Sequence, residues 1–217
     1  MRQLFCAAGL LLAAVAPVRA QDVCSQYRPT PAVGSWAEYV NTRGDQSSTM
    51  RLAIVGQEKR DGKDAVWFES ASESPRGKMV VELLVPSFPF AQGDVMEMVV
   101  KRGDDPAMKM PGAMMGGAGR GGPGRGRGGN AASSWETECK TMTVVGPESV
   151  TVPAGTFKTT HLRNSADSTD VWVNKDVPFG FVKSVSRGGS MTLKASGKNA
   201  RKSITETPQE MTGMPGM

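Results

Sequence analysis

The stretch Glu148-Ser-Val-Thr-Val-Pro-Ala-Gly-Thr-Phe-Lys-Thr-Thr-His161 decides the architecture, together with Asp170-Val-Trp-Val-Asn174 and Val177-Pro-Phe-Gly-Phe-Val-Lys183. Val150-Thr-Val152 and Thr156-Phe-Lys-Thr-Thr-His161 are β-branched and aromatic runs that suit a pleated, half-buried surface. Pro153-Ala154-Gly155 separates them and predicts a three-residue hairpin. Proline presets φ at the first turn position, and glycine takes the left-handed conformation that closes the turn. The C-terminal half therefore reads as an antiparallel meander. None of these residues supplies a catalytic group.

Working outward, the same strand rhythm fills the rest of the chain. Strand-like segments at 35–41, 49–57, 65–73, 78–85 and 94–101 are bounded by turn signals such as Arg43-Gly44-Asp45 and Pro75-Arg76-Gly77. Asp61-Gly62, between Leu52-Ala-Ile-Val55 and Val66-Trp-Phe68, is the strongest hairpin signal of this half. Residues 79–85 read as a buried strand or one short helix, and their length and flanking Gly and Pro favour the strand. A second run is expected at 135–145, 148–152, 156–163, 168–174, 180–187, 189–196 and 200–205. No amphipathic helix of normal length is legible. The expected fold is all-β with at most minor helix, a twisted antiparallel sheet forming an open or incomplete β-barrel.

Between the halves, 21–105 and 135–206, the composition changes. Residues 106–134 hold Met108-Lys-Met110-Pro-Gly-Ala-Met-Met115 and then a Gly/Arg tract, which buries too little apolar surface to offset ordering and is predicted to be disordered. The tail 207–217 is read the same way.

The N-terminus points to export. Met1-Arg2, an apolar run from Leu4 to Val15 and Val18-Arg19-Ala20 fit a signal peptide over 1–20, so the mature chain is expected to begin near Gln21. About a dozen apolar residues are too few for a permanent transmembrane helix. Neither Cys6 nor Cys24 has the setting of a lipid-attachment cysteine. The reading is a soluble periplasmic protein, with full secretion as the alternative. Losing Arg2 and Arg19 takes the net charge from +5 to +3, and Arg120, Arg125 and Arg127 sit together in the glycine tract. The folded part is thus nearly neutral, which argues against a nucleic-acid partner. The Arg-Gly repeats leave open a peripheral contact with anionic envelope components, against a passive solvated loop.

Export leaves Cys24 and Cys139, an even count in an oxidising compartment, and a disulfide between them is expected. The alternatives are a buried free thiol at Cys139 or a metal pair. Two cysteines and one histidine are too few for a structural zinc site.

The Thr-Val-Pro-Ala-Gly-Thr-Phe-Lys run at 151–158, the tryptophan strand at 170–174 and Val177-Pro-Phe-Gly-Phe-Val-Lys183 resemble segments of uncharacterised bacterial envelope proteins related to the lipoprotein-localisation (LolA/LolB-like) superfamily. The resemblance covers 135–196, and 34–101 only as a strand rhythm. It implies an incomplete barrel whose concave face holds acyl chains, hence a non-enzymatic carrier of a lipid or lipoprotein acyl chain. Trp36, Trp67, Trp172 and Phe157 are the candidates for lining such a cavity.

Other chemistry is thin. His161 is the sole histidine, on a strand where Phe157, Thr159 and His161 share a face. No Gly-x-Ser-x-Gly elbow accompanies it, so a hydrogen-bonding role is expected rather than a catalytic one. Two Gly-x-Gly-x-x-Gly matches at 119–129 lack the strand and helix that a dinucleotide site needs. Met211, Met214 and Met217, with the methionines at 108–115, form the rival signal, because thioethers are soft ligands for Cu(I). The readings carried forward are an apolar-ligand carrier, a copper-handling protein and a structural or assembly factor of the envelope. No cofactor is expected. Glu38, Glu69, Glu97, Glu136 and Glu138 read as single charges scattered on strands.

Overall fold

The structure is a computed structural model that describes residues 29–90, 92–111 and 141–210. The signal region, Cys24, Cys139, most of the 106–134 insertion and Met211, Met214 and Met217 lie outside the described residues. One twelve-stranded sheet is present, ordered β12-β6-β5-β4-β3-β2-β1-β11-β10-β9-β8-β7. Its first half is the meander β1 (Trp36–Arg43), β2 (Gln46–Arg60), β3 (Lys63–Ser74), β4 (Gly77–Val85), β5 (Glu97–Arg102) and β6 (Met108–Pro111). The second is β7 (Met142–Val152), β8 (Gly155–Asn164), β9 (Thr169–Val173), β10 (Phe181–Ser186) and β11 (Gly189–Gly197). The first and last long strands, β1 and β11, pair antiparallel from Trp36–Gly197 to Thr42–Ser190 and join the two meanders in a single seam. The sheet is antiparallel except where the two-residue β12 (Gln209–Glu210) runs parallel to β6, and it does not close into a barrel. Among the described residues the one helical element is a 3₁₀ turn, Gln92–Asp94.

The turn chemistry explains the registers. Arg60 pairs with Lys63, leaving Asp61 and Gly62 at φ 53° and 77°, the two positive-φ positions of a type I′ turn. At the second hairpin Val152 pairs directly with Gly155, so the loop is the two residues Pro153 and Ala154 and not the three expected. Residues 79–85 are a strand.

Four further expectations are corrected. The segments 135–145 and 148–152 do not flank a loop, since Val144 through Val152 belong to one strand with a bulge at Gly146. Met108–Pro111 lies inside the stretch read as disordered but pairs with β5. Residues 200–205 form no strand. Their segment crosses the sheet, and β12 follows it inside the tail read as disordered.

Period two divides the side chains between the faces. Ile54, Phe68, Leu83 and Met98 are successive partners across β2–β5 on the core face. The main core adds Tyr39 from β1, Leu193, Val150 and Val152 from the other meander, and Phe88, Phe90, Val95, Val177 and Phe179 from connecting segments. The β7–β8 turn reaches back to β11, where the Ala154 N–H donates to the Leu193 carbonyl at 3.3 Å. The sheet therefore curls over its own filled interior. At the free edge, the bulge at Gly146 (φ 149°) and Pro147 interrupt β7, a device that discourages edge-to-edge pairing although Val144 and Val145 are exposed.

The β10–β11 turn packs against the end of β1. Gly189 has φ 144°, and a Cβ there would lie 2.2 Å from the Thr42 carbonyl oxygen. Gly189→Ala is expected to destabilise the fold by about 1–3 kcal/mol, read as a drop in thermal midpoint, because both the dihedral and the backbone contact are strained.

Candidate functional site

The four candidate lining residues separate. Trp36 and Trp67 lie on the outer face, away from the concave core. Trp36 donates its indole N–H to the Lys198 carbonyl at 3.2 Å, and the Arg51 guanidinium lies 5.2 Å from its ring. Trp67 packs with Ala65, Val80, Leu84, Val99, Ala107 and Ile204 in an outer apolar cluster. Phe157 and Trp172 border the main core. The four do not form the wall of one cavity. The concave space is occupied instead by the rings of Phe68, Phe88, Phe90 and Phe179, whose centroids lie 5.1–6.1 Å apart in the contacting pairs.

The outer face carries buried polar chemistry, of which the sequence shows Glu69 and Glu97 only as single charges on strands. Ala53, Glu69, Glu82 and Val99 are successive cross-strand partners, and the two glutamates are 0% and 2% exposed. The C-terminal segment 198–208 covers them as a strap. Glu69 accepts from the Ser203 N–H at 2.7 Å, the Ser203 hydroxyl at 2.8 Å and Arg51 at 3.2 Å. Glu82 accepts from the Ile204 N–H at 3.4 Å and pairs with Lys202 at 3.3 Å. Lys202 also sits 3.8 Å from the centre of the Trp67 ring, and Trp67 donates to Glu58 at 3.0 Å. Desolvation raises the Glu82 pKa, while the Trp67 and Arg60 hydrogen bonds lower that of Glu58. Glu97, also buried, pairs with Arg60 at 3.1 Å and Lys109 at 3.2 Å.

Beside the strap a groove of about 630 Å³ opens on the outer face. The register builds it: Glu38, Arg51 and Ala71 form one row across β1–β3, and Thr49, Glu73 and Lys78 form the next across β2–β4. Ser47, Ser48, Thr49, Ser72, Ser74 and Ser203 are among its lining residues, with Lys194 from β11. Lys194 is held by Glu38 at 2.6 Å, and Arg51 by Glu69. A second cleft of about 330 Å³ adjoins it and shares Ser47, Ser48, Ser74 and Pro75. Sequence inspection missed this site, because its hydroxyl-bearing residues are divided among β2, β3 and the strap and become neighbours only through pairing.

His161 sits in a separate cross-strand cluster. Its ring stacks on Trp172 at 4.5 Å and 14°, and one ring nitrogen lies 2.8 Å from Asp170 while the other is 3.3 Å from Glu148. Trp172 donates to Glu148 at 2.7 Å, and Lys183 lies 5.0 Å from its ring. Hydrogen bonding to Arg163, ahead of that to His161, lowers the Asp170 pKa. These interactions tie β7 through β10 together. Thr159, the hydroxyl on the same strand face, donates to the Glu148 carbonyl at 2.7 Å, so it is engaged by backbone.

No family model matches the sequence, and no curated protein does. Similar solved structures include a protein from Bacteroides fragilis described as exported with a YmcC-like fold, at 12% identity and TM-score 0.37, covering 79% of this chain and 99% of that one. A lipoprotein structure from Parabacteroides distasonis is similar at 11% identity and TM-score 0.34, covering 79% and 98%. Likenesses at these TM-scores set neither the family nor the function of this chain.

Proposed function

We propose that this protein is a non-enzymatic binding module of the bacterial envelope, exported through its N-terminal signal, and that it holds an extended, hydroxyl-bearing chain such as a glycan. The observation that carries this reading is the outer-face groove of about 630 Å³. Serine and threonine recur along its lining, and a hydroxyl, which both donates and accepts, suits a ligand that does the same along its length. The groove also runs into a second cleft, so the ligand is a chain rather than a compact molecule. The resemblance to envelope proteins at 151–183 agrees with the compartment.

Titration of the mature protein with a panel of neutral and sulfated dextran oligomers tests the reading. Thr49 stands in the groove wall, and Thr49→Trp is expected to weaken binding at least about tenfold, or ~1.4 kcal/mol, while leaving the unfolding midpoint nearly unchanged. Absence of binding to every member of the panel would overturn the proposal.

A second reading keeps the apolar carrier. Phe88, Phe90 and Phe179 belong to connecting segments, not strands, and fill the concave face where an acyl chain would lie. An acyl ligand must displace these rings. Tryptophan quenching by a fluorescent fatty acid that survives Thr49→Trp would favour this reading over the groove.

A further inference from the structure

We propose that the smaller cleft is an anionic subsite, and that the chain bound in the groove carries sulfate, phosphate or carboxylate groups. The inference rests on the groove reading and specifies its ligand. The cleft of about 330 Å³ is lined by Arg43, Arg76, Asn41, Gln46, Ser47 and Ser48, with Ser74 and Pro75 at the rim it shares with the groove. It has two guanidiniums, two amides and several hydroxyls, and no carboxylate lines it. Asp45 stands in the turn that bears Arg43 but is not among the lining residues.

The contrast with the groove is chemical. There Lys194 and Arg51 are already committed to Glu38 and Glu69. In the cleft, neither Arg43 nor Arg76 has an ion-pair partner among the described residues. Both side chains are exposed, so each keeps its donors for a ligand. Their backbones are fixed by paired turns. Arg43 pairs with Gln46 at the end of β1–β2, and Ser74 pairs with Gly77 at the end of β3–β4. The Ser74 hydroxyl accepts the Arg76 N–H at 3.2 Å and locks the turn that presents Arg76. Guanidinium forks set beside hydroxyls match the planar or tetrahedral oxyanion of an acidic sugar substituent.

The experiment compares dextran sulfate with neutral dextran of equal length on the full mature chain, using wild type, the double variant Arg43→Gln/Arg76→Gln and the control Lys63→Gln on the far β2–β3 turn. Dextran sulfate is expected to bind at least about tenfold tighter than neutral dextran, with an advantage that shrinks at high salt. The double variant should erase that advantage, and Lys63→Gln should keep it. Equal binding of the two dextrans by wild type overturns the anionic subsite and leaves the groove reading standing. Binding of neither overturns the groove reading itself. Inorganic sulfate titrated alone distinguishes a free ion from a chain substituent: affinity equal to that of dextran sulfate overturns the assignment to a chain. Capture by phosphatidylglycerol vesicles without dextran sulfate binding overturns it in favour of a membrane surface.

Discussion

Phe68→Ala is expected to lower the free energy of unfolding by about 3–5 kcal/mol, the range for truncating a well-packed buried aromatic. Phe68 is 6% exposed and its ring contacts those of Phe88, Phe90 and Phe179, two of which come from one connecting segment and one from the other meander. Truncation leaves a void bounded by three rings, anchored in two connecting segments that are far apart in the chain. The neighbours have little freedom to collapse into the gap, so the cost lies toward the upper end. Against a typical domain stability of about 5–15 kcal/mol this is a large fraction. Denaturant titration should show a lower midpoint with an unchanged slope. A loss below about 1 kcal/mol would mean that the aromatic interior is loosely packed.

The adjacent residue acts on the opposite face. Glu69→Ala removes the acceptor of the Ser203 N–H, the Ser203 hydroxyl and Arg51 at once. Breaking a buried charge pair by deleting one partner costs about 3–5 kcal/mol, and Arg51, 26% exposed, recovers some hydration, which places the expected loss near the lower end. The specific signature is local: amide exchange and proteolysis at residues 200–206 should accelerate more than at β3 itself. Glu69→Gln keeps an acceptor for Ser203 and should retain the strap. Glu82→Gln should stay within about 1 kcal/mol of wild type, because burial already disfavours its charge. The sign follows from its raised pKa. Glu82 favours folding at acidic pH, and that contribution is lost as pH rises through the raised value.

The strap shows where sequence reading stops. Lys202-Ser-Ile-Thr205 has the composition of a strand and was expected to be one. Its backbone donors go to the Glu69 and Glu82 carboxylates, not to a neighbouring strand, so no ladder forms. Glu69 reads in the sequence only as a single charge on a strand, because the segment that covers it and Glu82 lies more than one hundred residues away. The positions of the hairpins, by contrast, are legible, since Asp61-Gly62 and Pro153-Ala154-Gly155 act locally, although the second loop is one residue shorter than the sequence predicts. Met108–Pro111 was hidden because four residues beside a Gly/Pro-rich tract carry too little periodicity to register. The grooves were invisible for a related reason. Serines at 47, 48, 72 and 74 are unremarkable along the chain, and only the pairing of β2 with β3 brings them to one end of the sheet.

The seam between β1 and β11 also constrains the order of assembly. Each hairpin can close within its own few dozen residues, but Trp36 meets Gly197 only after nearly the entire chain is present. Such non-local pairing carries a loop-closure cost before it yields contacts, and it slows folding relative to the hairpins on either side. As a chain is synthesised from its N-terminus, β1 must therefore keep one edge unpaired until the last long strand is available. The two halves can form early; the completed sheet comes last.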